Sequence, residues 1–322
     1  MDDQASDEIR SKWKQTFASI LHWRGRTIAL ICLSVFFVMR VVDPVPVAPL
    51  RSALFDTLQV LAPRAWQDLP VVIVEVDESS LARYGQWPWS RHLMAKLVDK
   101  IAAAGPLSIG FDILFSEPDR YSPNRMLDDV VDVDPRLKRE IEALLSNDTR
   151  FAQSLARAPT VLAVGALHNT DGDAKFRSVK SVLVRESGGE SKSLLTTFPV
   201  GLQSLPELDA AATSRAALNT IPEHDGVIRR VPLAFNIGGA VIPTLALEML
   251  RVAIGASSIT LHRDEHGILG IAVEDVFVPT DPDGRLWINY TPPYTKRYVS
   301  AADVLDGAAG ATGRLQNSLV LV

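Results

Sequence analysis

The sequence predicts an α/β fold: a mixed, partly parallel sheet with flanking helices and a strand-rich second half, preceded by one N-terminal transmembrane helix. Three observations carry this. Val71 to Val76 and Ile109 to Phe115 are apolar runs of strand length, and β-branched side chains fill the first, as a pleated, buried surface prefers. Between them Leu93, Met94, Leu97, Val98 and Ile101 recur at helical spacing, with Ser90 placed to cap the helix and Gly105-Pro106 to stop it. Beyond Leu194 the pattern changes to short strand-like runs separated by turn residues. Two strands joined by a helix in one parallel sheet point the same way. Asp77 and Asp112 are therefore expected at the carboxyl ends of neighbouring strands, where open α/β sheets usually bind ligands.

Residues 1–26 are polar and mixed in charge, with Lys12, Lys14, Arg24 and Arg26 nearest the apolar stretch Thr27 to Val42. Sixteen residues of helix reach only about 24 Å across a hydrocarbon core of roughly 30 Å. Arg40 can snorkel outward and Trp23 can sit at the interface, which extends the span. A buried core helix is the structural alternative, and it would show an amphipathic period that this stretch lacks. The basic flank places residues 1–26 in the cytoplasm, 27–42 in the membrane as a signal anchor, and 43–322 outside. No small-x-small cleavage site follows the apolar run, which argues against a removable signal peptide.

Asp43 to Pro46 breaks that helix, and Leu50, Leu54, Leu58 and Leu61 mark another before Pro63. After Phe115, Glu117 to Pro135 reads as a polar loop, Pro135–Leu145 and Asn147–Ala158 as helices, and Thr160–Leu167 as a third parallel strand. Asn169 to Lys192 is rich in glycine, serine and charge, the composition of an excursion. Further on, Asp225-Gly226 turns into a strand over Val227–Phe235. Pro243 to Ile254 reads as a helix with proline in its first turn. Ile259–His262, Ile268–Ile271, Val276–Val278 and Leu286–Tyr290 follow as short strands, and Ser300 caps a helix to Leu305. Leu319 to Val322 is a strand with no turn after it, so a longer natural chain is expected.

The 322 residues are 47 % hydrophobic and 22 % charged, enough to bury a sizeable core. A formal charge of −5, with no basic cluster interleaved with aromatics, excludes nucleic acid as the expected partner. Cys32 is the only cysteine, so no disulfide forms within the chain.

Taken together, Phe55-Asp56, Val71–Asp77 with Ser80-Leu81, Gly85–Arg91 and Gly110–Asp119 resemble the type-two CHASE domain, a sensory extracellular domain associated with cyclases and histidine kinases in bacteria. Asp225–Pro232, Pro243–Leu247, Ile288–Tyr290 and Ser300–Leu305 extend the likeness, which runs from about Leu50 to the end. The resemblance implies an N-terminal membrane helix, a sensory domain outside the cell membrane, further spans, and a cytoplasmic output. That output would be a nucleotide cyclase, a diguanylate cyclase or a protein kinase, including those of two-component systems. It supplies no ligand site; a sensory input of this kind is expected to act as a homodimer responding to a small-molecule or envelope ligand.

The residues themselves offer candidates, each with a structural alternative. Asp77, Asp112, Glu117 and Asp119 suit a cation or a polyhydroxylated ligand, or they cap helices and pair with Arg91. Asp77 is the expected sensing carboxylate and Asp112 the structural one. Trp87 and Trp89 flank a proline as a rigid aromatic pair for a sugar or cation, or they plug the core. Arg91 and Arg230 offer planar forks to an anion, or they form internal ion pairs. His262 and His266 have helical metal spacing but lie between strand-like runs, and Asp281–Gly284 reads as a hairpin turn. No activated nucleophile or phosphate-cradling glycine loop is evident, so neither catalysis nor a cofactor or metal is expected. The enzyme alternative is an envelope glycosidase using Asp112 and Glu117; the other is a non-sensing dimerisation module.

Overall fold

The structure, a computed structural model, describes residues 25–38, 48–127, 134–168 and 182–322. Its chain divides into two units, Met1–Ala65 with Asn289–Thr291, and Trp66–Ile288 with Pro292–Val322. In the first, residues 25–38 form helix α1, whose apolar side chains are exposed all round, from Ile28 to Val38. Among the described residues no helix is long and apolar enough to cross a membrane. The expected anchor continues over 39–42, which, like residues 1–24, the break at 43–47 and most of the 169–192 excursion, lies outside the described residues. Helix α2 (Ala48–Leu61) follows, and its repeated Leu50, Leu54 and Leu58 are exposed.

The second unit begins with β1 (Val71–Glu75), α3 (Glu78–Tyr84), α4 (Arg91–Ala103) and β2 (Ser108–Gly110). Next come α5 (Pro123–Met126), α6 (Pro135–Glu142), α7 (Asn147–Leu155), β3 (Thr160–Leu167) and β4 (Leu183–Ser187). They lead to β5 (Thr197–Phe198), β6 (Val200–Leu202), α8 (Pro206–Ala211), β7 (Ser214–Ala217), β8 (Arg230–Pro232), β9 (Ala234–Ile237) and β10 (Ala240–Pro243). Helix α9 (Leu245–Ala253) precedes the hairpins of β11 (Ser258–Asp264), β12 (Gly267–Val273), β13 (Val276–Pro279) and β14 (Arg285–Trp287). The chain closes with β15 (Tyr298–Ser300), α10 (Ala301–Leu305), α11 (Ala309–Leu315) and β16 (Leu319–Leu321).

Six strands run parallel in the order β15-β1-β16-β2-β3-β7, and β6 adds antiparallel to the far end of β3. Alternate side chains face opposite layers, as the strand period requires. Val72, Val74, Ile109 and Val320 pack with α4, α7, α10 and α11 on one face. Leu319, Leu321 and Val161 meet Leu245 and Met249 of α9 on the other. A Cβ on Gly110 would lie 2.3 Å from the Met249 sulfur, so glycine lets α9 approach β2 closely. Leu247, on the same helix, joins the core of the four-stranded sheet β13-β12-β11-β4. A three-stranded sheet, β10-β9-β5, and the pair β14-β8 complete the strand-rich second half.

Three expectations are corrected. β1 and β2 are not neighbours, because β16 lies between them. The second apolar run is in the sheet only over Ser108–Gly110. Its aromatic residues leave to plug the helical layer: Phe111, Phe115 and Phe151 are fully buried, with centroids 5.0 to 6.1 Å apart and tilted edge-to-face. Pro243 ends β10, which among the described residues forms a ladder with β9 alone, an edge position that tolerates a missing N–H; the helix starts after Thr244. Ser90 caps α4 as expected, its hydroxyl accepting from the Leu93 N–H at 3.3 Å.

The aromatic triad fixes the helical layer against β2. Phe151→Ala should lower unfolding free energy by about 3–5 kcal/mol in urea titrations; a loss under about 1 kcal/mol would contradict this packing.

Candidate functional site

At the carboxyl edge, Asp77 follows β1 and is the N-cap of α3. Its Oδ1 accepts from the Ser80 N–H at 2.9 Å, the Ser80 hydroxyl at 2.6 Å and the Ser300 hydroxyl at 2.8 Å, and the Ser79 hydroxyl lies 3.0 Å from both oxygens. Ser300 ends β15, opposite Glu75 of β1. The Ser80 hydroxyl oxygen in turn accepts from the Ala302 N–H at 3.0 Å, which ties α3 to α10. Burial pushes the Asp77 pKa up, but the donated hydrogen bonds of Ser80, Ser300 and Ser79 outweigh it and bring it down to about 2.

Arg91 opens α4, and its backbone N–H donates to Asp119 Oδ2 at 2.9 Å. Its guanidinium lies 3.6 Å from Asp148 Oδ1, sits over the Phe115 ring at 4.5 Å, and donates to the Glu117 carbonyl at 3.4 Å. Asp119 is buried and also accepts from the Tyr121 N–H and the Asn147 amide, while its own N–H donates to Asp148 Oδ2 at 2.9 Å. Burial lowers the Arg91 pKa and raises that of Asp148, and their mutual attraction offsets part of each effect. This is a knot that holds the start of α4 to the start of α7.

Trp89 is buried, its indole N–H donating to the Gly85 carbonyl at 2.9 Å, whereas Trp87, 6.1 Å away, is 43 % exposed. Asp112 and Glu117 are exposed. Among the described residues nothing pairs with the Asp112 carboxylate, and its backbone N–H donates to the Val322 carbonyl at 3.0 Å. Arg230 stands apart on β8, paired with Glu223 at 2.8 Å and Asp281 at 3.2 Å and lying over Trp287. Asp281 also accepts from the Asp283 and Arg285 N–H groups, as a turn residue does. His262 lies on β11 and His266 in the following turn, so their spacing is not helical.

The eight candidate residues are therefore not one cluster. Asp77 is separated from Asp112 by β16 and does not share a charge with it. Hydrogen bonding separates the two carboxylates: Asp77 accepts from the protein's own donors, chiefly at Oδ1, and Asp112 faces solvent.

The opposite edge of the sheet holds a cavity of about 500 Å³ that the sequence reading missed. Its walls are the segments that lead into three adjacent strands, β15, β1 and β16. Trp66 and Tyr294 stack there with centroids 3.8 Å apart, alongside Lys296, Arg297, Arg314 and one carboxylate, Asp68. Aromatic and basic residues before strand starts were visible in the sequence, but nothing there joined residue 66 to residue 294.

A three-layer α/β domain with hairpin sheets appended is the class this fold defines. The chain belongs to the CHASE2 domain family, whose family model, described as CHASE2 domain, matches residues 28–322. This is a family of extracellular sensory domains associated with signalling receptors, sensory rather than catalytic. No curated protein and no solved structure shows a match to the chain.

Because its folded pKa lies below the ordinary 3.8, Asp77 stabilises the fold fully above about pH 4 and loses that contribution as pH falls toward 2. Asp77→Asn should cost about 1–3 kcal/mol at pH 7, with the deficit shrinking below pH 4 in denaturant titrations. A deficit that stays constant down to pH 2 would contradict the assignment. Asp112→Asn should leave stability within about 0.5 kcal/mol of wild type.

Proposed function

We propose that this chain is the extracytoplasmic sensory input part of a bacterial transmembrane receptor. Residues 27–42 anchor it in the cell membrane, residues 1–26 lie in the cytoplasm, and residues 43–322 face the periplasm or the exterior. A cytoplasmic nucleotide cyclase, diguanylate cyclase or protein kinase, outside this sequence, receives the signal, and the receptor acts as a homodimer. The observation that carries this reading is membership of the CHASE2 family over residues 28–322. The all-round apolar surface of α1 supports the anchor, since an isolated helix without a polar face is matched by lipid or by a deep core. The basic residues before Thr27 support the orientation.

In this reading a ligand acts by binding one of two conformations more tightly, and its differential affinity is the whole of the signal. The carboxyl edge is less suited to that task, because Asp77 and Asp119 accept hydrogen bonds from within the protein and the Arg91 guanidinium is held against Asp148 and Phe115. Asp112, Glu117 and Trp87 remain candidates for surface contacts on that side.

Alkaline phosphatase fused after Leu61 should be active in cells, and a cytoplasmic reporter at the same position inactive. The reverse pattern would overturn the topology and the sensory reading with it.

A further inference from the structure

The cavity at the amino edge of the parallel sheet is positively charged in an acidic chain. The whole chain carries a formal charge of −5. The cavity is lined by three cations, Lys296, Arg297 and Arg314, against the single carboxylate of Asp68, a formal excess of two positive charges. Among the described residues no carboxylate pairs with Lys296 or Arg297, and the Arg314 guanidinium is engaged only by the Tyr298 carbonyl, at 2.9 Å. By contrast Arg229 and Arg230 pair with Glu223, and Arg251 pairs with Glu248. Three cations lining one concavity set up a positive potential there that an anion would lower. The Trp66–Tyr294 stack adds an apolar wall, and the buried Trp66 indole N–H has no acceptor among the described residues. At about 500 Å³ the space suits a small organic molecule.

We propose that this cavity is the ligand site of the domain and takes a small soluble dianion, a phosphate ester or a dicarboxylate. Arg297 and Lys296 supply the charge-assisted hydrogen bonds, Arg314 adds to the positive field, and the Trp66–Tyr294 wall receives the organic body. The proposal deepens the sensory reading by naming a ligand class, and it gives the ligand leverage. Residues Trp66 to Val72 lead into β1, Tyr294 to Arg297 into β15, and Arg314 to Ser318 into β16. An anion held among them bridges the start of the first strand to the start of the last. Its binding acts on the segments entering three paired strands, so a change in their arrangement is felt by the sheet.

The test is calorimetric titration of the full chain in detergent with inorganic phosphate and with succinate, at ionic strength held constant with sodium chloride. At least one probe should bind. Lys296→Gln and Arg297→Gln should each weaken it about three- to tenfold and the double variant abolish it, whereas Asp68→Asn should tighten it. Lys138→Gln, on the exposed face of α6, should leave binding unchanged. Circular dichroism melts of each variant keep loss of binding distinct from loss of fold. Wild-type-like binding by the double variant overturns the site, as does failure of both soluble probes. Association with phosphatidylglycerol vesicles alone overturns it in favour of a lipid headgroup. Binding is read on the chain itself, so the titration can succeed where the topology fusions fail, and the reverse.

Discussion

Leu319, Val320 and Leu321 lie between β1 and β2, with a parallel neighbour on each side, and the rest of the sheet depends on that placement. Leu319 is in register with Val71 on one side and Ser108 on the other, and Val320 is fully buried. The three residues serve both layers at once: Val320 packs under α4 and α11, while Leu319 and Leu321 meet α9. β1 and β15 reach β2 only through this strand. The core is thus completed by the last residues of the sequence, a long-range pairing of the kind that slows folding.

The two edges of the sheet follow from what each strand end must do. At the carboxyl edge, β1 and β15 run into α3 and α10, whose first N–H groups need acceptors. Asp77 accepts from the Ser80 N–H of α3 and the Ser80 hydroxyl from the Ala302 N–H of α10, while the Ser300 hydroxyl donates to Asp77, so β1, α3, β15 and α10 become one hydrogen-bonded unit. Carboxylates used this way are lost to ligands. At the amino edge no helix start follows, and the segments before β15, β1 and β16 leave room between them. That edge gathers cations with few internal acceptors.

Local features were legible in the sequence and long-range ones were not. The limits of β3 and the cap on α4 follow from period and capping chemistry, and the structure places both where the residues indicate. The apolar run Ile109–Phe115 misled because period alone cannot tell a buried strand from aromatic plugs, and Phe111 and Phe115 turn into the helical layer instead. Asp77 read as a ligand group because a carboxylate at a strand end looks the same whether it caps a helix or faces solvent. The Ser79 and Ser80 donors are local, whereas Ser300, remote in sequence, joins them only through the pairing of β15 with β1. The insertion of β16 and the meeting of Trp66 with Tyr294 are likewise topological facts, with no local trace in composition or spacing.

Amide hydrogen exchange of the full chain tests the central claim most directly, that the sheet is locked by its last strand. The amides of Leu319 and Leu321 should exchange as slowly as those of Ile73 and Val74 in β1, and all should open together in a single global event. Exchange of the 319–321 amides at the rate of an unstructured terminus, with β1 still protected, would contradict the account.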